Sequence, residues 1–105
     1  MTEKDLEIAM ELKKRLEEYV GLVDFRVFGS RAKGDEDEYS DMDVFIEVES
    51  IDKVLKELIL DIVWEVGFES FIVISPLIFT RDEIERSALR SSPIVRNIVE
   101  EGVRL

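Results

Sequence analysis

Apolar positions recur first at helical spacing, then at alternate positions, then at helical spacing again. Over residues 3–20, Ile8, Leu12, Leu16 and Tyr19 lie three or four apart, the period of an amphipathic helix. Thr2, with Asp5 three residues on, supplies a capping box, and Gly21 a stop. From Leu22 to Phe28 the period becomes two: Val23, Phe25 and Val27 alternate with Asp24 and Arg26, which predicts a strand. GSRAKG then turns the chain, with a short helical turn from Ser30 to Lys33, and residues 35–40 form an acidic loop. The segment 43–48, DVFIEV, is rich in β-branched and aromatic residues and predicts a second strand.

A second long helix is expected over residues 51–66, capped by Ser50 and ended by Gly67. Val54, Leu55, Leu58, Ile59, Ile62, Val63 and Val66 give it a broad apolar face, with Trp64 beside that face and assigned to the core. Residues 68–79 read as a third strand, with Pro76 at a sheet edge or the strand's end. Thr80 and Glu83 box the start of a helix to about Leu89; Ser92 and Pro93 open a last helix that Gly102 closes. This order predicts one α/β (α+β) domain over 1–105, with a small mixed sheet of three to four strands and helices mainly on one face. The first two strands lack a full helix between them, so an antiparallel or splayed pair is expected.

Charge changes the picture of partners. Fourteen Lys and Arg stand against 25 Asp and Glu, a net charge of −11, which argues against direct nucleic-acid binding or an anionic membrane surface. With no cysteine and no histidine, disulfides, thiol catalysis and histidine-based triads are excluded. A metal would have to sit on oxygen ligands, which suits magnesium or manganese. No apolar run approaches the ~20 residues of a membrane span, and the first residues lack a signal-peptide layout. A cytoplasmic protein is expected.

The candidate chemistry lies between the first two strands. Gly29 lets backbone approach a ligand, Ser30 supplies a hydroxyl, and the free amides of a helix start bind phosphate oxygens. Ten residues after Ser30, the pair Asp41 and Asp43 opens the next strand, where period two puts both carboxylates on one face, close enough to share a divalent ion. The bland readings are turn glycines, a serine cap and strand-edge charge. They lose on the joint pattern, whose chance appearance in so short a chain is roughly one in a thousand. Arg31 is a candidate phosphate cation, whereas Lys33 faces solvent. Tyr39 is a loop aromatic, tucked against its own domain or stacked on a base.

GSRAKG, the spacing to SDMD, the apolar strand that follows and the later ISP and SPIVRNI segments resemble the minimal nucleotidyltransferases of the DNA polymerase β-like superfamily, over most of the chain. The resemblance implies that Gly29 and Ser30 hold the triphosphate of a nucleoside triphosphate, ATP first, and that Asp41 and Asp43 bind up to two Mg²⁺ ions. It implies transfer of a nucleoside monophosphate to a hydroxyl, with release of pyrophosphate. It also implies a HEPN-domain toxin as the partner that the protein neutralises, in some cases by adenylylation. A third carboxylate from a later strand belongs to that pattern. Residues 68–79 hold no Asp, and Glu69 is the candidate, its facing set by a one-residue register.

The alternative is a catalytically weak or inactive antitoxin-like module that neutralises a partner by occlusion. A sheet this small encloses little, so a homo-oligomer or a docked protein would complete the site, and the acidic surface suits a basic partner.

Overall fold

The structure, a computed structural model, describes residues 1–34, 40–86 and 88–105. Residues 35–39, the acidic loop up to and including Tyr39, lie outside the described residues. Helix α1 (Glu3–Glu17) opens on the expected capping box: the Asp5 amide donates to Thr2 Oγ1 at 3.0 Å and the Thr2 amide to Asp5 Oδ2 at 3.4 Å. Its stripe buries Ile8, Ala9, Leu12 and Leu16, but the helix stops short of Tyr19, which is exposed. Strand β1 (Leu22–Phe28), the short helix α2 (Ser30–Lys33) and strand β2 (Met42–Val48) follow as the pattern predicts.

The largest departure is helix α3 (Lys53–Ser70). Asp52 rather than Ser50 caps it, its carboxylate accepting the Leu55 amide at 2.8 Å. Gly67 does not end it. There the glycine admits the returning chain, since a Cβ would stand 2.9 Å from the Ile72 carbonyl oxygen, and the Ile72 amide donates to the Gly67 carbonyl at 3.0 Å. The helix ends instead at Phe71, in the left-handed conformation at φ 59°. Strand β3 therefore runs only from Ile74 to Thr80, and residues 68–70 are helical.

Helix α4 (Arg81–Arg86), a 3-10 turn (Ala88–Ser91), helix α5 (Pro93–Glu101) and strand β4 (Val103–Arg104) complete the order. The two-residue β4 is too short for any periodicity to announce it.

The four strands lie in the order β3-β2-β1-β4, with β1 antiparallel to both β2 and β4, and β2 parallel to β3. Alternation divides the sheet. Phe25 and Val27 of β1 and Met42, Val44, Ile46 and Val48 of β2 join Leu12, Leu16, Ile59, Val63 and Val66 in the main core under α1 and α3. The opposite face carries Asp43, Phe45 and Glu47 of β2. There Phe45 meets Phe79 at 5.8 Å, and α5 approaches, its Val99 carbonyl accepting from Arg26 Nη1 at 3.0 Å.

Strand β3 is an open edge. The Met42 amide donates to the Val73 carbonyl at 2.9 Å, and alternation then turns the missing N–H of Pro76 to the outside, which discourages strand addition. Among the described residues no helix is long and apolar enough to cross a membrane.

Candidate active site

The β1–β2 register brings the two halves of the motif together, because Phe28 pairs with Asp43. Immediately after Phe28, Gly29 adopts φ 76° and ψ −156°, a conformation closed to other residues without strain. It is a glycine for a second reason too: a Cβ there would collide with Asp43 Oδ2. The carboxylate thus lies against the backbone of the Gly-Ser turn. The first hydrogen bond of α2 runs from the Lys33 amide to the Gly29 carbonyl at 3.2 Å, so the amides of Ser30, Arg31 and Ala32 have no acceptor within the helix. Gly34, at φ 80°, ends the turn.

Asp41 is exposed and Asp43 half-buried. Burial, and then the charge of Asp41, pushes the Asp43 carboxyl above its ordinary range. Among the described residues no cation pairs with either. A half-buried carboxylate beside a second one, both hard oxygen donors, fits a divalent ion such as Mg²⁺, which would remove their mutual repulsion. Ser75 of β3 pairs in register with Asp43, and its hydroxyl donates to Asp41 Oδ2 at 3.3 Å. The sequence assigns Ser75 no role, because a strand expected over 68–79 leaves the register against β2 open.

Two expected members are elsewhere. Glu69 lies in the last turn of α3, not on a strand, and its carboxylate takes Arg15 Nη2 at 2.8 Å. The positions of β3 beside Asp43 and Phe45 are Ser75 and Leu77, and among the described residues no third acid joins the two aspartates as a metal-binding group. Arg31 points inward. Its Nη1 donates to Asp5 Oδ1 at 2.6 Å and its Nε to the Ser40 carbonyl at 2.9 Å, with both charged side chains buried. It holds the residue before Asp41 and not the turn at Gly29. Lys33 is exposed and pairs with Glu101 at 3.2 Å.

Glu47, four residues beyond Asp43 on the same face, is buried. Burial first, then Asp24, raises its carboxyl above the ordinary range. Alternation through DVFIEV was the signal that placed it there. Beside Gly29 a cleft of about 200 Å³ opens between α2 and α5, lined by Phe28, Lys33, Ile94, Asn97, Ile98 and Glu101.

Comparison with known proteins adds three findings. The nucleotidyltransferase domain family matches residues 9–105. A crystal structure described as a toxin-antitoxin with AMP-PNP superposes with a TM-score of 0.59 at 15% identity, covering 98% of this chain and 72% of that one. A putative nucleotidyltransferase from Sulfolobus solfataricus gives a TM-score of 0.46 at 18% identity, over 99% of this chain and 87% of that one. No curated protein gives a significant match. With the family match spanning nearly the whole chain and the Gly-Ser turn lying on the Asp-x-Asp strand, this protein belongs to the nucleotidyltransferase domain family and is a transferase by class.

Proposed function

We propose that the protein transfers a nucleoside monophosphate, AMP from ATP first, to a hydroxyl group on a partner protein, a HEPN-domain toxin being the first candidate. The observation that supports this reading is the contact between Gly29 and the Asp43 carboxylate, which brings the Gly-Ser turn against the Asp-x-Asp pair. Gly29, Ser30 and the first amides of α2 hold the β- and γ-phosphates. Asp41 and Asp43 hold Mg²⁺, and Ser75 steadies Asp41. When bound, Mg²⁺ neutralises charge developing on the phosphates and lowers the pKa of the attacking hydroxyl. The hydroxyl oxygen forms a bond to the α-phosphorus, the bond to pyrophosphate breaks, and the hydroxyl proton leaves to solvent at this open face. The cleft between α2 and α5 takes the nucleoside, with Asn97 the uncharged polar side chain of its lining.

Transfer of label from α-labelled ATP, with Mg²⁺ and a candidate partner, tests this directly. A fall in incorporation of at least about 10²-fold in Asp41→Asn and in Asp43→Asn is expected; wild-type incorporation in either variant would sink the reading. The two-carboxylate site favours one second reading, an occluding antitoxin with little turnover. That reading expects both variants to keep binding and neutralising the partner.

A further inference from the structure

Helix α3 carries more apolar surface than the sheet can cover. Ile59, Ile62, Val63 and Val66 face the core, while Leu60, Trp64 and Phe68 form a second row at i, i+4 spacing on the outside. Trp64 and Phe68 stack at 5.2 Å with rings 10° apart, so the pair is a flat aromatic plate. Its exposure is large: Trp64 68%, Phe68 69%, Phe71 94% and Val73 62%. Beside the plate a groove of about 200 Å³ is floored by Val63, Gly67, Ile72 and Ile74. Contiguous apolar surface of this kind on a folded protein marks a place for another molecule. Because the Val73 carbonyl accepts the Met42 amide, the Val73 end of this apolar surface lies at the same end of the sheet as Asp41 and Asp43.

Charge selects the occupant. Glu57, Asp61 and Glu65 follow one another at i+4 along the flank of the aromatic row, all exposed, in a chain of net charge −11. A second copy packed antiparallel through the aromatic row would set two acidic rows face to face, and like charges across an interface select against that pairing; exposed Lys56, one turn before Leu60, leaves a parallel pairing as an outcome of the test. Addition of a strand at β3 meets Pro76. The geometry points to an amphipathic helix of a different protein, apolar along one face and bordered by Lys or Arg, docked on Trp64, Phe68, Phe71 and the groove. This extends the transfer reading without depending on it, since the surface serves a catalytic and a silent protein alike.

The chain has a single tryptophan, so Trp64 emission reports the site. The experiment titrates the full-length protein, without nucleotide, with a synthetic Leu/Lys amphipathic helix and with its Leu/Glu counterpart. The expected result is a saturable blue shift with the Leu/Lys peptide alone. A Phe68→Ser, Phe71→Asn variant should bind about tenfold more weakly, as loss of aromatic anchors dictates. An Asp61→Lys, Glu65→Lys variant should weaken binding by several-fold. Both pairs are exposed, and asparagine tolerates the left-handed conformation at position 71, so circular dichroism should report an unchanged fold. Three results would overturn the proposal. One is no saturable shift with the Leu/Lys peptide. Another is equal binding by the aromatic variant, which would reduce the effect to net charge. The third is concentration-dependent self-association that buries Trp64 and vanishes in that variant, which would make a second copy the occupant.

Discussion

The β1–β2 hairpin and the α3–β3 junction each turn on one glycine, and the two glycines do opposite things. Gly29 breaks regular structure: it takes a positive φ and lets Asp43 lie against the backbone. Gly67 leaves its helix intact and gives up its side chain to the Ile72 carbonyl arriving from outside. In the hairpin, each constraint is met by neighbours in sequence or by the next strand. At the junction it is met by the backbone of Ile72, five residues on, in an apolar stretch whose residue types suit a strand as well as a helix. Local pattern therefore announces the first region and misleads about the second, and the proposed chemistry sits in the first.

The comparison can be broken or sharpened by substitution. The strongest expected effect is at Arg31, which looks from the sequence like a ligand of phosphate and in the fold is the hairpin's anchor. Arg31→Ala leaves the Asp5 carboxylate buried without its partner and should cost about 3–5 kcal/mol in urea unfolding. A loss of nucleotide affinity at unchanged stability would return Arg31 to the phosphates.

Asp43→Asn comes next. Transfer should fall by about 10²–10³-fold, the scale of removing a group that stabilises charge in the transition state. Stability at neutral pH should hold or rise, because the fold raises the Asp43 carboxyl and so disfavours its ionised form.

The glycines themselves give the direct contrast. Gly29→Ala should cost about 1–3 kcal/mol from backbone strain and also displace Asp43, weakening Mg²⁺-dependent nucleotide binding in a thermal-shift assay. Gly67→Ala should cost about 1–3 kcal/mol by overpacking against Ile72 and leave nucleotide binding unchanged. Equal effects of the two on binding would dissolve the distinction.

The smallest effect concerns Glu47. Its folded-state carboxyl lies above the unfolded value, so the fold favours the protonated form. Its contribution to stability is full below the unfolded carboxylate pKa and is lost as pH rises through the folded one. Glu47→Gln should flatten that decline in Tm relative to wild type. A steeper decline would mean that Glu47 is held ionised by a cation.

Much of this was legible beforehand. The helix of Thr2 and Asp5, the strand 22–28, the turn at Ser30 and the antiparallel pairing all rest on contacts between residues near in sequence or on period two. That the Gly-Ser turn and the aspartate pair act together was legible from their joint pattern, but the contact of Gly29 with Asp43 rests on a register that only the fold sets. Trp64 was not legible. In α3 apolar residues occupy both faces between Leu58 and Phe68, so periodicity alone offers two candidate inner faces, and the sheet takes only one. Glu69 failed for a related reason. A β-branched and aromatic run looks like strand until the Gly67–Ile72 contact extends the helix through it. Arg31 and Asp5 are each ordinary surface types in sequence, and only the docking of α1 against the hairpin makes them a buried pair.

Thr2, Asp5, Arg31 and Ser40 form one chain of contacts, from the cap of α1 to the residue before Asp41. Its centre is the part that resists opening, because separating Arg31 from Asp5 strands two buried charges. In hydrogen exchange the amides of Asp5 and Met42, remote along the polypeptide, should therefore open as a single cooperative unit. A fusion or tag that disturbs the first turn of α1 would be felt at the start of the strand that carries Asp43, and protein intended for activity work is better extended from its other end.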